Sequence, residues 1–305
     1  MSTPDLRAGR AAPDAFTVAG ADWESTSPLD DRARAAYAEH GCLLLKNFAP
    51  AAIVAAFQEE ARTTVELVAQ ALGLDVAASG VARFDRGLDL IVKADRARAG
   101  RLYNAVRKLP SVQSLVTSSR VWAVMRQLMQ TRLPGLYPAG TGVRMDHPGE
   151  DTYLSPWHQE YPYNLTSDNA VTLWLPLVDV DDVNGCLLLA PGSHRLGALP
   201  VIVRDALNAG RNANETIEIA DLERHLRGTT PLSVPARAGD ALVFHTYLLH
   251  RSQPNRSQAT RWTVQARYFD FLNSTAIARD WVGGMNEGVD FRRYHPELVA
   301  RAPEA

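Results

Sequence analysis

The stretch WHQEYPYNLTSDNAVTLWLPLVDVDDVNGCLLLAPGSHRLG, residues 157–197, decides how this chain is read. Within it VTLWLPLVDV (171–180) is dense in β-branched, aromatic and aliphatic residues, a composition that suits a buried pleated surface. Turn residues bound the runs, notably Asn184-Gly185 and Pro191-Gly192-Ser193. Outward from there, short apolar or alternating runs cover 141–146, 156–163, 170–180, 185–190, 232–236, 240–249 and 261–271. Several short strands with regular turns predict an antiparallel barrel or sandwich. The segment 194–230 interrupts them. It is polar, carries a predicted helix over 220–227, and reads as a lid insertion.

Towards the N-terminus the pattern turns helical. Asp30 or Asp31 caps a helix that runs through Glu39 and stops at Gly41. GCLLLKNF (41–48) suits a buried strand. Pro50 opens a long helix whose apolar stripe reaches about Leu72, before Gly73. Two further helical patterns lie between 99 and 130, separated by Pro110. Residues 1–28 have no period and read as a loose N-terminal arm. The expected organisation is one domain over 29–305: helical support 29–133, a β core 134–275 holding the insertion 194–230, and a C-terminal tail 276–305.

The chain has 305 residues, 46% hydrophobic and 22% charged, which excludes disorder of the whole. Its formal charge of −2, from 32 basic and 34 acidic side chains, leaves no footprint for nucleic acid. No apolar run approaches the length of a membrane span. The start, MSTPDLRAGRAAPD, lacks the apolar core of a signal peptide, and the end, RAPEA, lacks a peroxisomal address. Two cysteines, Cys42 and Cys186, fit a reducing compartment. The expectation is a cytoplasmic protein with a small-molecule partner, no nucleic acid and no membrane. Nothing in the sequence sets an oligomeric state.

His158 and Glu160 stand two apart in a predicted strand, so both side chains share one face. His250 ends the 240–249 run, and a barrel can bring that end beside the pair. Two imidazoles and one carboxylate on one face form the facial triad of non-haem Fe(II) oxygenases, with three positions left open. By itself His-x-Glu is weak and occurs in ordinary surface strands. His245, five before His250, should lie on the opposite strand face and serve as a packed or exposed histidine. Arg261 opens the strand-like RWTVQARYF, where a guanidinium can grip a dicarboxylate through a bidentate fork. Ser252 can add a hydroxyl donor, and Trp174 can wall the cavity.

Taken in order, Trp157-His158-Gln159-Glu160, Trp174, Asn184-Gly185, Pro191-Gly192-Ser193-His194, Gly239-Asp240, His250-Arg251-Ser252, Asn255 and Arg261 resemble the phytanoyl-CoA dioxygenase family of Fe(II)/2-oxoglutarate oxygenases. The resemblance covers about 139–271. It implies a mainly β fold with a helical N-terminal part: a double-stranded β-helix, the cupin-like jelly roll, flanked by helices. It implies His158, Glu160 and His250 as iron ligands and Arg261 with Ser252 at the distal carboxylate of 2-oxoglutarate. Trp174 and Gln159 would line the cosubstrate pocket, and His194 would not be a ligand.

One residue departs from the family pattern, which has aspartate where this chain has Glu160. Halogenating relatives carry a small residue there, so glutamate disfavours halogenation. The implied activity is a 2-oxoglutarate-dependent dioxygenase using Fe(II) and O2 and releasing succinate and CO2. It would hydroxylate a secondary metabolite, an amino-acid derivative or a lipid-like acid. Desaturation or epoxidation would start the same way, and the glutamate also leaves open a non-catalytic cupin-like binding protein. The substrate is expected under the 194–230 insertion and the 146–156 loop, against Tyr161, Tyr163 and Asn164.

Overall fold

In the computed structural model the described residues are 14–204, 217–284 and 287–300. The chain begins with β1 (Thr17–Val18), α1 (Asp31–His40), β2 (Cys42–Leu45) and the long α2 (Ala51–Ala71). The helical signals in the sequence act as expected. Asp30 accepts a hydrogen bond from the Ala33 N–H at 2.8 Å, and Gly41 closes α1 in the left-handed region at φ 74°. Helices α3 (Leu88–Ala94), α4 (Arg96–Val106), α5 (Pro110–Val116) and α6 (Ser119–Met129) follow, with Pro110 at the first turn of α5.

The β part comprises β3 (Pro134–Asp146), β4 (Ala170–Pro176), β5 (Leu187–Leu189), β6 (Val201–Val203), β7 (Ile217–Ile219), β8 (Leu232–Val234), β9 (Ala241–His245), β10 (His250–Arg251) and β11 (Arg261–Asp270). A short helix, α7 (Leu222–Leu226), precedes β8. One sheet runs β1-β2-β9-β4-β11-β3, and a second runs β10-β5-β8. Every pairing in the two sheets is antiparallel except β1 with β2. This is the jelly roll flanked by helices.

β11 shows why the helices sit where they do. Its even positions, Trp262, Val264, Ala266 and Tyr268, are buried on the face turned to the helices. Trp262 meets Phe57 of α2 edge-on at 5.7 Å, and the Tyr268 hydroxyl donates to the Val116 carbonyl at 2.7 Å. Such aromatic pairs contribute about 0.5–1.5 kcal/mol beyond their buried area. Alternation then turns Arg261, Thr263, Gln265 and Arg267 towards the interior of the roll.

Three expectations need correction. Residues 14–28 are not a loose arm: Phe16 and Trp23 are buried, β1 pairs with β2, and the Trp23 indole donates to the Lys46 carbonyl at 3.1 Å. Two aromatics anchor a segment whose average composition hides them, while residues 1–13 lie outside the described part. The run 156–163 is not a strand: it holds one bridge at His158 and then a tight turn over Tyr161–Tyr163. Proline at 162 denies that backbone an N–H for a ladder. The insertion 194–230 contains a β6–β7 hairpin as well as the short helix, and 205–216 of it lie outside the described residues.

Candidate metal centre

His158, Glu160 and His250 come together, with one potential ligand atom from each lying within 4.8 Å of the others. The backbone does the gathering. His158 and His250 form a two-way bridge, each N–H donating to the other's carbonyl at 3.0 and 3.1 Å. The Glu160 N–H donates to the Thr246 carbonyl at 3.0 Å, which fixes the turn that aims its carboxylate. The pairing inferred from strand alternation is therefore produced by a bridge and a turn. His245 keeps apart: its Nδ1 accepts the Tyr247 N–H at 3.1 Å. Burial, with His194 beside it, pushes that imidazole down to about 4.

The donor set suits a divalent metal. His158 Nδ1 lies 2.7 Å from the Pro156 carbonyl, and His250 Nδ1 lies 2.9 Å from the Leu248 carbonyl. A carbonyl only accepts, so each Nδ1 carries the proton and each Nε2 keeps its lone pair. Burial and the neighbouring His250 push the His158 imidazole down to about 3, which holds it in the neutral, ligating form. Burial alone would raise Glu160, but the Arg267 guanidinium holds its carboxyl well below the usual range. All three side chains are buried, in a chamber of about 40 Å3 that Trp174, Ser252 and Phe244 also line.

The other expected residues fall in several places. Arg261 does not line this chamber. It is 2% exposed and bonds Asp146 through its terminal nitrogen at 2.8 Å. Arg144 takes the other Asp146 oxygen at 2.6 Å and does line the chamber. Both guanidiniums hold the Asp146 carboxyl down at about 2, against the cost of its burial. Gln159 is turned away from the chamber. Its amide donates to the Gly197 and Tyr247 carbonyls at 2.8 and 2.7 Å, and its oxygen accepts the Leu199 N–H. It pins the start of the insertion to the triad segment, and both of its amide hydrogens are used there.

Tyr161 also points elsewhere, its hydroxyl 2.7 Å from His295 Nε2 and accepting from Arg279 at 3.0 Å. Asn164 donates to Glu160 itself at 3.1 Å. Tyr163 lines a cavity of about 190 Å3 beside Glu160, between α4 and β3, with Tyr103, Arg107, Thr141 and Arg267. A larger cavity of about 320 Å3 adjoins it across Tyr103 and Arg144, and the 146–156 loop contributes His147, Glu150 and Tyr153 to it. The described part of the insertion lines neither cavity.

Sequence reasoning missed Arg144, Asp146 and Arg267. The alternation that singled out Arg261 also places Gln265 and Arg267 on the same face. That signal was available in RWTVQARYF.

A family profile described as Phytanoyl-CoA dioxygenase (PhyH) matches residues 37–263. The peroxisomal phytanoyl-CoA dioxygenase of Bos taurus is 23% identical over 239 residues, 77% of this chain and 66% of that protein. The match thus spans just under two thirds of that relative's length. The 1-deoxypentalenic acid 11-beta-hydroxylase of Streptomyces arenae is 26% identical over 77% of this chain and 80% of its own. Among solved structures, EctD from S. alaskensis with 2-oxoglutarate and 5-hydroxyectoine superposes with a TM-score of 0.54 at 18% identity, covering 85% of this chain and 82% of that one. That likeness is one of fold. With the profile covering well over half its length, the chain belongs to the phytanoyl-CoA dioxygenase family.

Proposed function

We propose that this protein is an Fe(II)- and 2-oxoglutarate-dependent dioxygenase that hydroxylates a small acidic molecule. The observation that carries the reading is a pair of buried imidazoles whose Nδ1 atoms are both tied to backbone carbonyls, with a depressed carboxylate between them. His158, Glu160 and His250 would hold the ferrous ion. When bound, the iron supplies the oxidising chemistry: 2-oxoglutarate and O2 go to succinate and CO2, and one oxygen atom enters a substrate C–H bond.

The chain's own contribution is binding, charge and exclusion of water. Arg144, Asp146 and Arg261 form a cluster of two cations on one anion, so it keeps one positive charge in a buried place. Arg144 brings that charge to the chamber that Ser252 also lines, where it suits the distal carboxylate of the keto diacid, and Arg261 backs it through Asp146. Trp174 walls the chamber. The substrate is assigned to the cavity between α4 and β3, against Tyr163. Arg107 lines that cavity and forms no ion pair among the described residues, which supports an anionic substrate. The relative named for hydroxylating 1-deoxypentalenic acid supports the same class.

No helix among the described residues is long and apolar enough to cross a membrane. A cytoplasmic location fits two buried cysteines without a disulfide.

The test is direct. Anaerobic Fe(II) with 2-oxoglutarate should give a visible charge-transfer band, and aerobic incubation with a panel of acids should release succinate. His158→Ala should abolish both. A wild-type protein that gives neither signal, or a His158→Ala protein that keeps both, refutes the reading.

A further inference from the structure

Glu160 is one methylene longer than the aspartate its family shows, and an unanchored longer carboxylate can chelate or swing. Here its oxygens are almost fully used. Oε2 accepts from Arg267 Nε and from Asn164 Nδ2, both at 3.1 Å. Oε1 accepts from an Arg267 terminal nitrogen at 2.8 Å and lies 3.6 Å from His250 Nε2. A carboxylate offers about four lone-pair positions. Three donors occupy three of them, and the remaining one is on the oxygen beside His250.

Arg267 is itself held by groups other than Glu160. One terminal nitrogen donates to the Gly140 carbonyl at 2.7 Å and the other to Gln265 Oε1 at 3.1 Å. The backbone makes room for this arrangement. The β11–β3 pairing slips between Gln265, opposite Gly142, and Arg267, opposite Tyr137. Such bulges re-aim side chains. A Cβ at Gly140 would come within 3.0 Å of Arg267 Cδ and 2.7 Å of the Tyr137 ring, so a side chain there would displace the fork.

We propose that Arg267 is a positioning residue which, with Asn164, fills one oxygen of Glu160 and steadies the other, so that only the open position on that second oxygen is presented to the metal. On this reading, which rests on the metal reading above, the fork is what lets a glutamate serve where the family has aspartate. The rival role for the same contact is a counter-ion that occupies the carboxylate only until the metal arrives. The two make opposite predictions, because removing a cation near a metal site helps metal binding on charge alone, while removing a positioning fork harms it.

The experiment is calorimetric titration of the metal-free protein with Co(II) alone, with the visible Co(II) spectrum recorded alongside. The set is wild type, Arg267→Gln, Arg267→Lys, Glu160→Asp and His158→Ala. Loss of hydrogen bonds to a charged group corresponds to about tenfold to a hundredfold in affinity. Arg267→Gln and Arg267→Lys should both bind Co(II) that much more weakly, with an altered spectrum as the carboxylate changes its mode. The lysine variant keeps the charge, so its loss reports geometry.

Glu160→Asp should also bind more weakly than wild type, although it restores the family's residue. Affinity and spectrum unchanged in both Arg267 variants, tighter binding in Arg267→Gln, or full affinity in Glu160→Asp would overturn the proposal. Should Arg267→Gln fail to fold, Arg267→Lys and Glu160→Asp decide. Wild type that does not bind Co(II), or His158→Ala that binds like wild type, would instead overturn the metal reading.

Discussion

Asp146→Asn removes one charge from the Arg144–Asp146–Arg261 cluster, and its cost can be worked from the structure. The Asp146 side chain is 7% exposed and the Arg261 side chain 2%. The carboxyl stands at about 2 in the folded protein against an ordinary 3.8. That difference is worth about 2 kcal/mol at neutral pH. The sign follows from the depression. The contribution is complete above the unfolded value, and it is lost as the pH falls through the folded one. At pH 3 about half of it remains. Because the variant also strands a buried guanidinium, the whole loss at pH 7 should reach about 3–5 kcal/mol. The assay is urea unfolding of the metal-free protein at pH 7 and pH 3. The wild-type advantage should shrink by roughly 1 kcal/mol on acidification. A variant within about 1 kcal/mol of wild type at pH 7, or an advantage that does not change with pH, would show that the cluster is not the buried ionic network drawn above.

Further expectations concern the same machinery. Arg261→Ala should raise the KM for 2-oxoglutarate by about tenfold to a hundredfold with little change in kcat; steady-state kinetics showing an unchanged KM would remove Arg261 from the cosubstrate site. Gly185→Ala should lower the thermal midpoint by several degrees and raise that KM as well. Its backbone sits at φ 86°, and a Cβ would stand 2.4 Å from the Gln253 carbonyl and 2.7 Å from Arg261; a normal melt would contradict this. His245 is pushed down to about 4, so the folded protein refuses a proton that the unfolded chain takes below about 6.5. Stability should therefore fall as pH drops from 7 to 5, His245 accounting for about 2 kcal/mol. His245→Gln should flatten that part of the curve in metal-free denaturation, and an equally steep curve would refute it.

Much of the fold was readable locally. Asp30, Gly41 and Pro110 set helix ends through capping, left-handed closure and a missing N–H, chemistry that needs no partner far along the chain. The dense apolar runs became β4 and β9 because such residues stabilise a strand buried on both faces. The loose arm misled because Phe16 and Trp23 find their cover on β2 and its flanks, which no composition average reveals.

The three candidate ligands were identifiable because the side chains that can hold ferrous iron are few, and their order along the chain is distinctive. What surrounds them was decided only by the tertiary structure. Arg267 reaches Glu160 across 107 residues, and Arg261 reaches Asp146 across 115. Gln159 spends its amide on the insertion instead of the cosubstrate pocket because Gly197, Leu199 and Tyr247 converge on it in space. A guanidinium chooses its carboxylate by strand pairing and by the slip beside Gln265, and that register exists only once β3 and β11 have met.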